Sequence, residues 1–204
     1  MSHYFTNDNL ASEIKRIDLK VFNESFSFNT DNGVFSKGEL DYGTYLLLKN
    51  TINLVHGNIL DLGCGYGPIG IILKKLTDSK VLMSDVNRRA VHLANINIKL
   101  NRLEDISAIV SDGFSNIEDK FDYIVTNPPI RVGKEILYKL ILDAKDHLKN
   151  NGFIYLVIRK QQGANSFIKD MEKSFDVKVI DKDKGFFIIS LKSCWLLFRF
   201  MLLI

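Results

Sequence analysis

The sequence predicts an α/β fold, a mostly parallel sheet of seven strands whose last strand is antiparallel, on three observations. From about residue 57 onward, short apolar runs alternate with stretches of helical periodicity, the pattern of buried strands interleaved with covering helices. A glycine-rich turn joins the first run to the first helix. A proline pair halts the fourth run, and proline brings no N–H to a strand ladder, so a central strand must stop there.

Each element follows from its residues. Asn58 to Leu62 reads as the first buried strand, and Pro68 opens a helix that ends near Leu76, proline being suited to the first helical turn. Lys80 to Asp85 is the second strand, Asn87 to Leu100 a helix, Ile106 to Val110 the third strand and Phe121 to Thr126 the fourth. Leu137, Leu140, Ile141, Ala144 and Leu148 share one face at helical spacing, with Asn151-Gly152 as the stop. Phe153 to Ile158 is an uninterrupted apolar strand, hence buried on both faces. A helix carrying Ala164, Phe167, Ile168, Met171 and Phe175 follows. Val177 to Ile180 and Phe186 to Leu191, joined through Asp183-Lys184-Gly185, close the sheet as a hairpin.

Residues 57–192 thus form the core. Residues 1–56 read as a small β/α cover over the sheet's binding edge: Phe26 and Phe28 alternate with polar neighbours, Asp31-Asn32-Gly33 turns, and Asp41 to Val55 is helical with Leu48, Ile52 and Val55 inward. Residues 193–204 are an apolar tail of unassigned role, too short to span a bilayer and carrying Arg199.

Composition narrows the function classes. With 46% hydrophobic and 25% charged residues in 204, the chain has a core and no low-complexity segment. A net charge of +3 excludes attachment to nucleic acid by bulk charge, so any such partner depends on local placement of cations. Cys64 and Cys194 cannot alone build a disulfide framework or a zinc site, and His3, His56, His92 and His147 lack ligand spacing, so no metal is expected. The first residues have neither a basic nor an apolar signal region, and a reducing cytoplasm is the expected location.

The candidate chemistry lies in two loops. Asp61-Leu62-Gly63-Cys64-Gly65-Tyr66-Gly67 follows the first strand, where Gly63, Gly65 and Gly67 allow a sharp turn and close approach of a ligand. A dinucleotide fingerprint would need glycine at position 68, which is Pro68. Asp85, at the end of the second strand, can accept both hydroxyls of a ribose or cap the next helix. Asp112-Gly113, after the third strand, either meets a ligand's base or is an ordinary turn. Asn127-Pro128-Pro129-Ile130 follows the fourth strand as a rigid loop that presents acceptors, because proline removes donors. Such a loop suits an exocyclic or side-chain amine, already neutral and needing orientation more than a base.

These features resemble, in order, the motifs of class I S-adenosylmethionine (SAM)-dependent N-methyltransferases, which implies a Rossmann-like fold and SAM as cofactor. Phe35-Ser36-Lys37, Asp41-Tyr42-Gly43, Gly65 to Gly70, Asn127 to Lys134 and Arg159 to Ala164 further resemble the short single-domain branch of the small-subunit ribosomal RNA guanine-N2 methyltransferase family. The resemblance runs from about residue 3 to 192 and stops before the tail. It implies that Asp61 and the glycines hold the methionine part of SAM, Asp85 the ribose and Asp112 the adenine. Asn127 and Pro128 would hold the target amine, Asn127 would also border the cofactor, and Asp41 would close over it. Ile130 stands where many amine methyltransferases place a stacking aromatic, a role for which Phe35 is the candidate.

Arg131 and Lys134 follow the fourth strand and Arg159 and Lys160 the fifth, with Lys37 able to join them from the cover. Phosphate contacts there would position a ribosomal RNA or small subunit without reading its sequence. The alternative is ordinary solvated charge. A base paired in a duplex could not reach the cofactor, so the acceptor nucleotide must be single-stranded or flipped out. Two other readings remain: methylation of a protein glutamine or an adenine amine, and a non-catalytic RNA-binding module. Oligomeric state is open.

Overall fold

The computed structural model of the chain describes residues 13–31, 40–128 and 133–193. Two strands, β1 (Lys15–Val21) and β2 (Glu24–Thr30), form an antiparallel hairpin that precedes helix α1 (Tyr42–Thr51). The rest alternates: β3 (Gly57–Leu62), α2 (Pro68–Leu76), β4 (Ser79–Asp85), α3 (Arg88–Leu100), β5 (Ile106–Val110), β6 (Phe121–Thr126), α4 (Lys134–Ala144), β7 (Leu148–Arg159), α5 (Ala164–Met171), β8 (Phe175–Asp183) and β9 (Phe186–Ser193).

The seven strands of the main sheet run in the order β5-β4-β3-β6-β7-β9-β8. Only β9 is antiparallel to its neighbours, β7 and β8; the other pairings are parallel. This is the expected Rossmann-like sheet. The order reverses between β3 and β6, and the crevice at such a switch, at the carboxyl ends of the strands, is where open α/β sheets bind ligands.

Each face carries its own apolar cluster. One unites α1 (Leu46, Leu47, Leu48), α2 (Ile69, Ile71, Ile72), α3 (Val91, Ala94) and Phe26 and Phe28 of the hairpin with the sheet. The other unites α4 (Leu137, Ile141) and α5 (Phe167, Met171) with Leu60, Ile124, Leu156 and Ile189. The hairpin is fixed to α3 by two asparagines one turn apart. Asn97 Nδ2 donates to Asn29 O at 3.0 Å while its Oδ1 accepts from Asn29 N at 2.7 Å. Asn101 repeats this on Ser27, at 2.7 and 3.1 Å. The edge of β2 is therefore occupied by side-chain amides acting as a surrogate strand, which removes the exposed ladder groups of a free edge.

Two expected boundaries are corrected. Leu148 is not on the helix: α4 ends at Ala144, a single 3-10 turn spans Lys145–His147, and Leu148 opens β7 by pairing with Phe121. Asn151-Gly152 does not stop a helix but forms a bulge inside β7, where Asn151 has φ of +66° and the register passes from Phe121↔Leu148 to Tyr123↔Phe153. Such left-handed Asn-Gly pairs serve a bulge as readily as a helix end, so the dipeptide alone was ambiguous. Phe175 likewise begins β8, where it pairs with Ser193, instead of extending α5.

Candidate active site

The glycine loop forms because β3 must turn straight into α2. Gly63, Gly65 and Gly67 all have φ between +56° and +96°, a region that side-chain-bearing residues rarely adopt. Gly63 N and Cys64 N donate to Ser84 O at 2.8 and 2.9 Å, tying the loop to the end of β4. Gly67 precedes Pro68, the first residue of α2. A Cβ added at Gly65 would meet no atom within 4 Å, so this glycine borders open space.

Two carboxylates lie beneath the loop. Asp61 is fully buried; Oδ2 accepts from Gly70 N at 2.8 Å, while Oδ1 has no partner among the described residues. Burial pushes its pKa up to about 7, with Asp85 adding to the rise and the Gly70 N–H opposing it. Asp85 Oδ2 accepts from Gly65 N at 2.9 Å and Oδ1 from Asn87 N at 2.8 Å. Burial raises its pKa too, against those backbone N–H groups. Asp85 does not cap α3: that role falls to Asn87, whose side chain accepts from Arg89 N and Ala90 N. Neither Asp61 nor Asp85 forms an ion pair among the described residues. An unpaired buried carboxylate is costly, and a cationic ligand would relieve that cost. The cradle thus fits a group that carries an ammonium and a sulfonium. Asp112 is exposed after β5, its loop closed by Ser115 Oγ accepting from Asp112 N at 3.2 Å. The buried thiol of Cys64 is pushed up by burial and stays protonated.

Asn127 stands at the switch point, immediately after β6. Thr126 Oγ1 donates to Leu62 O at 2.6 Å, so the ends of β6 and β3 are joined directly under it. Asn127 Nδ2 donates to Asp41 Oδ2 at 3.1 Å and to Thr44 Oγ1 at 3.0 Å. Asp41 is also the N-cap of α1, its Oδ2 accepting from Thr44 N at 3.0 Å. One helix start therefore takes both amide hydrogens of Asn127, and nothing among the described residues donates to its Oδ1. The amide presents a carbonyl acceptor, and Pro128, which is buried, adds no N–H beside it. Asp41, expected to close over the cofactor, accepts from Asn127 Nδ2 through its carboxylate.

The cations divide. Lys134 ion-pairs with Asp170 at 3.1 Å and lies over the Tyr138 ring, and that hydrogen bond raises its pKa. Arg159 and Lys160 are exposed at the end of β7. Phe35, Lys37, Ile130 and Arg131 lie outside the described residues, as do Asn32, Gly33, Pro129 and the tail from Cys194. Thr44 was missed from sequence; the signal was its position three residues after Asp41, at the start of a helix. Among the described residues no cluster of His, Cys, Asp and Glu could hold a metal, and no helix is long and apolar enough to cross a membrane.

A family model described as methyltransferase small domain matches residues 25–190. An uncharacterized protein, YbxB of Bacillus subtilis (strain 168), is 41% identical over 197 residues, covering 94% of this chain and 98% of its own. Ribosomal RNA small subunit methyltransferase C of Haemophilus influenzae (strain ATCC 51907) is 42% identical over 141 residues, covering 67% of this chain. The match spans 41% of the Haemophilus protein, less than half its length. The solved structure of the Thermus thermophilus 16S rRNA N2 G1207 methyltransferase (RsmC) with AdoMet and guanosine shares the fold. It aligns with a TM-score of 0.80 at 24% identity, covering 91% of this chain and 52% of that one.

Proposed function

The chain belongs to the methyltransferase small domain family, and on that premise we propose that it methylates the exocyclic N2 amine of a guanine in small-subunit ribosomal RNA. It is a SAM-dependent methyltransferase of the class I fold. When bound, SAM supplies an electrophilic methyl group. The residues suited to hold it are Asp61, with its unused buried oxygen, Gly63, Gly65 and Gly67, and Asp85 beside them. Asp112, at the next strand end, is the candidate for the adenine.

The observation that carries the acceptor reading is the clamp on Asn127. With both amide hydrogens held by α1, Oδ1 is left to accept a hydrogen from a neutral amine and so to orient the nitrogen lone pair. No general base is required before attack, since an exocyclic amine is uncharged; its extra proton leaves after transfer. Catalysis by orientation can supply ~7–11 kcal/mol. Ribosomal RNA is favoured among amine-bearing acceptors by the Haemophilus relative, which is named for it, and by Arg159 and Lys160, exposed at the end of β7, the strand next to β6. A purely RNA-binding module would leave the buried, unpaired Asp61 without a purpose. Action on ribosomal RNA would place the protein in the cytoplasm, with the small subunit or its precursor as partner.

The test is methyl transfer from labelled SAM to small ribosomal subunits that lack the modification. Label is expected in the RNA. Label confined to ribosomal protein would reject the RNA assignment in favour of a glutamine amide.

A further inference from the structure

The carboxyl edge of the sheet divides at the switch point. On one side β3, β4 and β5 end in or lead to Asp61, Asp85 and Asp112; on the other, β7, β9 and β8 bring Arg159, Lys160, Lys184 and Lys182. Arg159 ends β7, the strand next to β6, with its guanidinium carbon 4.5 Å from the Phe186 ring centre. Phe186 packs on Tyr42, 5.7 Å between centroids, and Lys184 lies 4.4 Å above Tyr42. Lys182 sits 4.6 Å from the Phe187 ring. The β8–β9 turn is held against β7 by Lys160 N, which donates to Gly185 O at 2.7 Å.

All four cations are exposed, and none is in an ion pair among the described residues. The acid of the turn, Asp183, accepts from the Tyr42 hydroxyl, which pushes that phenol's pKa up to about 12. That hydrogen bond leaves Asp183 charged, as is Asp181 on β8, yet neither forms an ion pair with the four cations among the described residues. A cation seated on an aromatic face is held in place while its N–H groups remain unused. From Asn127 to Lys184, in the turn between β8 and β9, the edge crosses two to three strand spacings, about 10–14 Å, or about three to four nucleotides at a stacked rise of ~3.4 Å.

We propose that the sheet edge formed by the ends of β7 and β8 and the start of β9 is a track for the single-stranded RNA flanking the acceptor nucleotide, with Arg159 and Lys184, seated on Phe186 and Tyr42, holding successive phosphates. This rests on the RNA reading of the site. It adds the β8–β9 turn to the substrate surface and assigns the two sides of one edge to cofactor and RNA.

The test compares the full chain with the double variant Arg159→Gln, Lys184→Gln and with a control, Lys120→Gln, Lys169→Gln, that removes the same charge at exposed positions elsewhere. Lys184 has φ of +44°, a strain that glutamine shares equally. SAM binding by each variant reports an intact fold. Binding of a fluorescent single-stranded RNA dodecamer is measured from ~0.05 to ~0.3 M salt, alongside the same sequence as duplex. The track predicts that the double variant weakens binding on the order of tenfold at ~0.1 M salt and flattens the log–log salt slope by about 1.4, at ~0.7 per lost contact. The control keeps the wild-type slope. An unchanged slope in the double variant, an equal loss in the control, or equal wild-type affinity for duplex would overturn the proposal. Methyl transfer on the same samples separates the two claims. RNA bound along this edge yet never methylated faults the function; methylation with an unchanged slope in the double variant faults the track.

Discussion

Asn127 has both amide hydrogens committed to Asp41 Oδ2 and Thr44 Oγ1, so its carbonyl is fixed by groups 83 and 86 residues earlier in the chain. Asn127→Ala should lower turnover at least ~100-fold, the scale set by misplacing a reacting group, with SAM affinity retained. Thr44→Val keeps the shape but removes the acceptor; turnover should fall roughly tenfold, the worth of one hydrogen bond, while Thr44→Ser restores it. Equal turnover of the Val and Ser variants would remove the clamp from the account. The pair was half legible. Asn127-Pro128-Pro129 pointed to the proposed amine site, but nothing in the sequence tied Thr44 to Asn127, because the contact is long-range.

Asp61 makes a second prediction at this scale. Its folded pKa is pushed up to about 7 by burial, against about 4 in an unfolded chain. Between those values the folded protein retains a proton that the unfolded chain has lost. Stability therefore falls as pH rises through that window, by up to ~1.4 kcal/mol per pH unit from this group. Denaturant titrations of ligand-free protein at pH 5 and pH 8 should show wild type losing stability relative to Asp61→Asn, and SAM should bind the wild type more tightly as Asp61 ionises. Parallel pH profiles for the two proteins would contradict the assignment.

At the scale of elements, the strands and helices of the core were legible because each is a short, strongly patterned run. Helices α2 and α3 begin and end where Pro68, Asn87 and Leu100 indicated, whereas α1 ends at Thr51, short of the expected Val55. The boundary near Leu148 was not, since 145–153 contains a residue that satisfies helical spacing and a dipeptide that can end a helix. The decision came from pairing with Phe121, which is visible only once β6 is in place. Strand β1 was also unread, although Ile17, Leu19 and Val21 alternate with Asp18 and Lys20 and face the core as Phe26 and Phe28 do. What fixes that hairpin is α3. Fully buried Asn97 bridges Asn29 and the carbonyl of Tyr66 in the glycine loop, at 2.9 Å for the latter. Asn97→Ala would leave three backbone groups unpaired and should cost about 3 kcal/mol, readable as a lower denaturant midpoint. A change within about 0.5 kcal/mol, the range of ordinary surface substitutions, would show that the hairpin is held by its apolar contacts alone.

Across the whole molecule, a net charge of +3 conceals an uneven edge, with Asn127 between its two sides. Asp61, Asp85 and Asp112 lie on the β5-β4-β3 side. Arg159, Lys160, Lys182 and Lys184 lie on the β7-β9-β8 side, without ion pairs among the described residues although Asp181 and Asp183 lie among them. Strand order could not be read from sequence, so neither could this division; it follows from the reversal between β3 and β6. Lys134 shows the limit of placing charges by strand end alone, since α5 supplies Asp170 to neutralise it. The same architecture accepts several amines, and the choice among them is the central claim. Small subunits methylated by the purified protein should be digested to nucleosides and mapped by mass spectrometry. N2-methylguanosine is expected at a defined position in the ribosomal RNA; N6-methyladenosine, or methyl groups only on protein, would contradict guanine N2 as the acceptor.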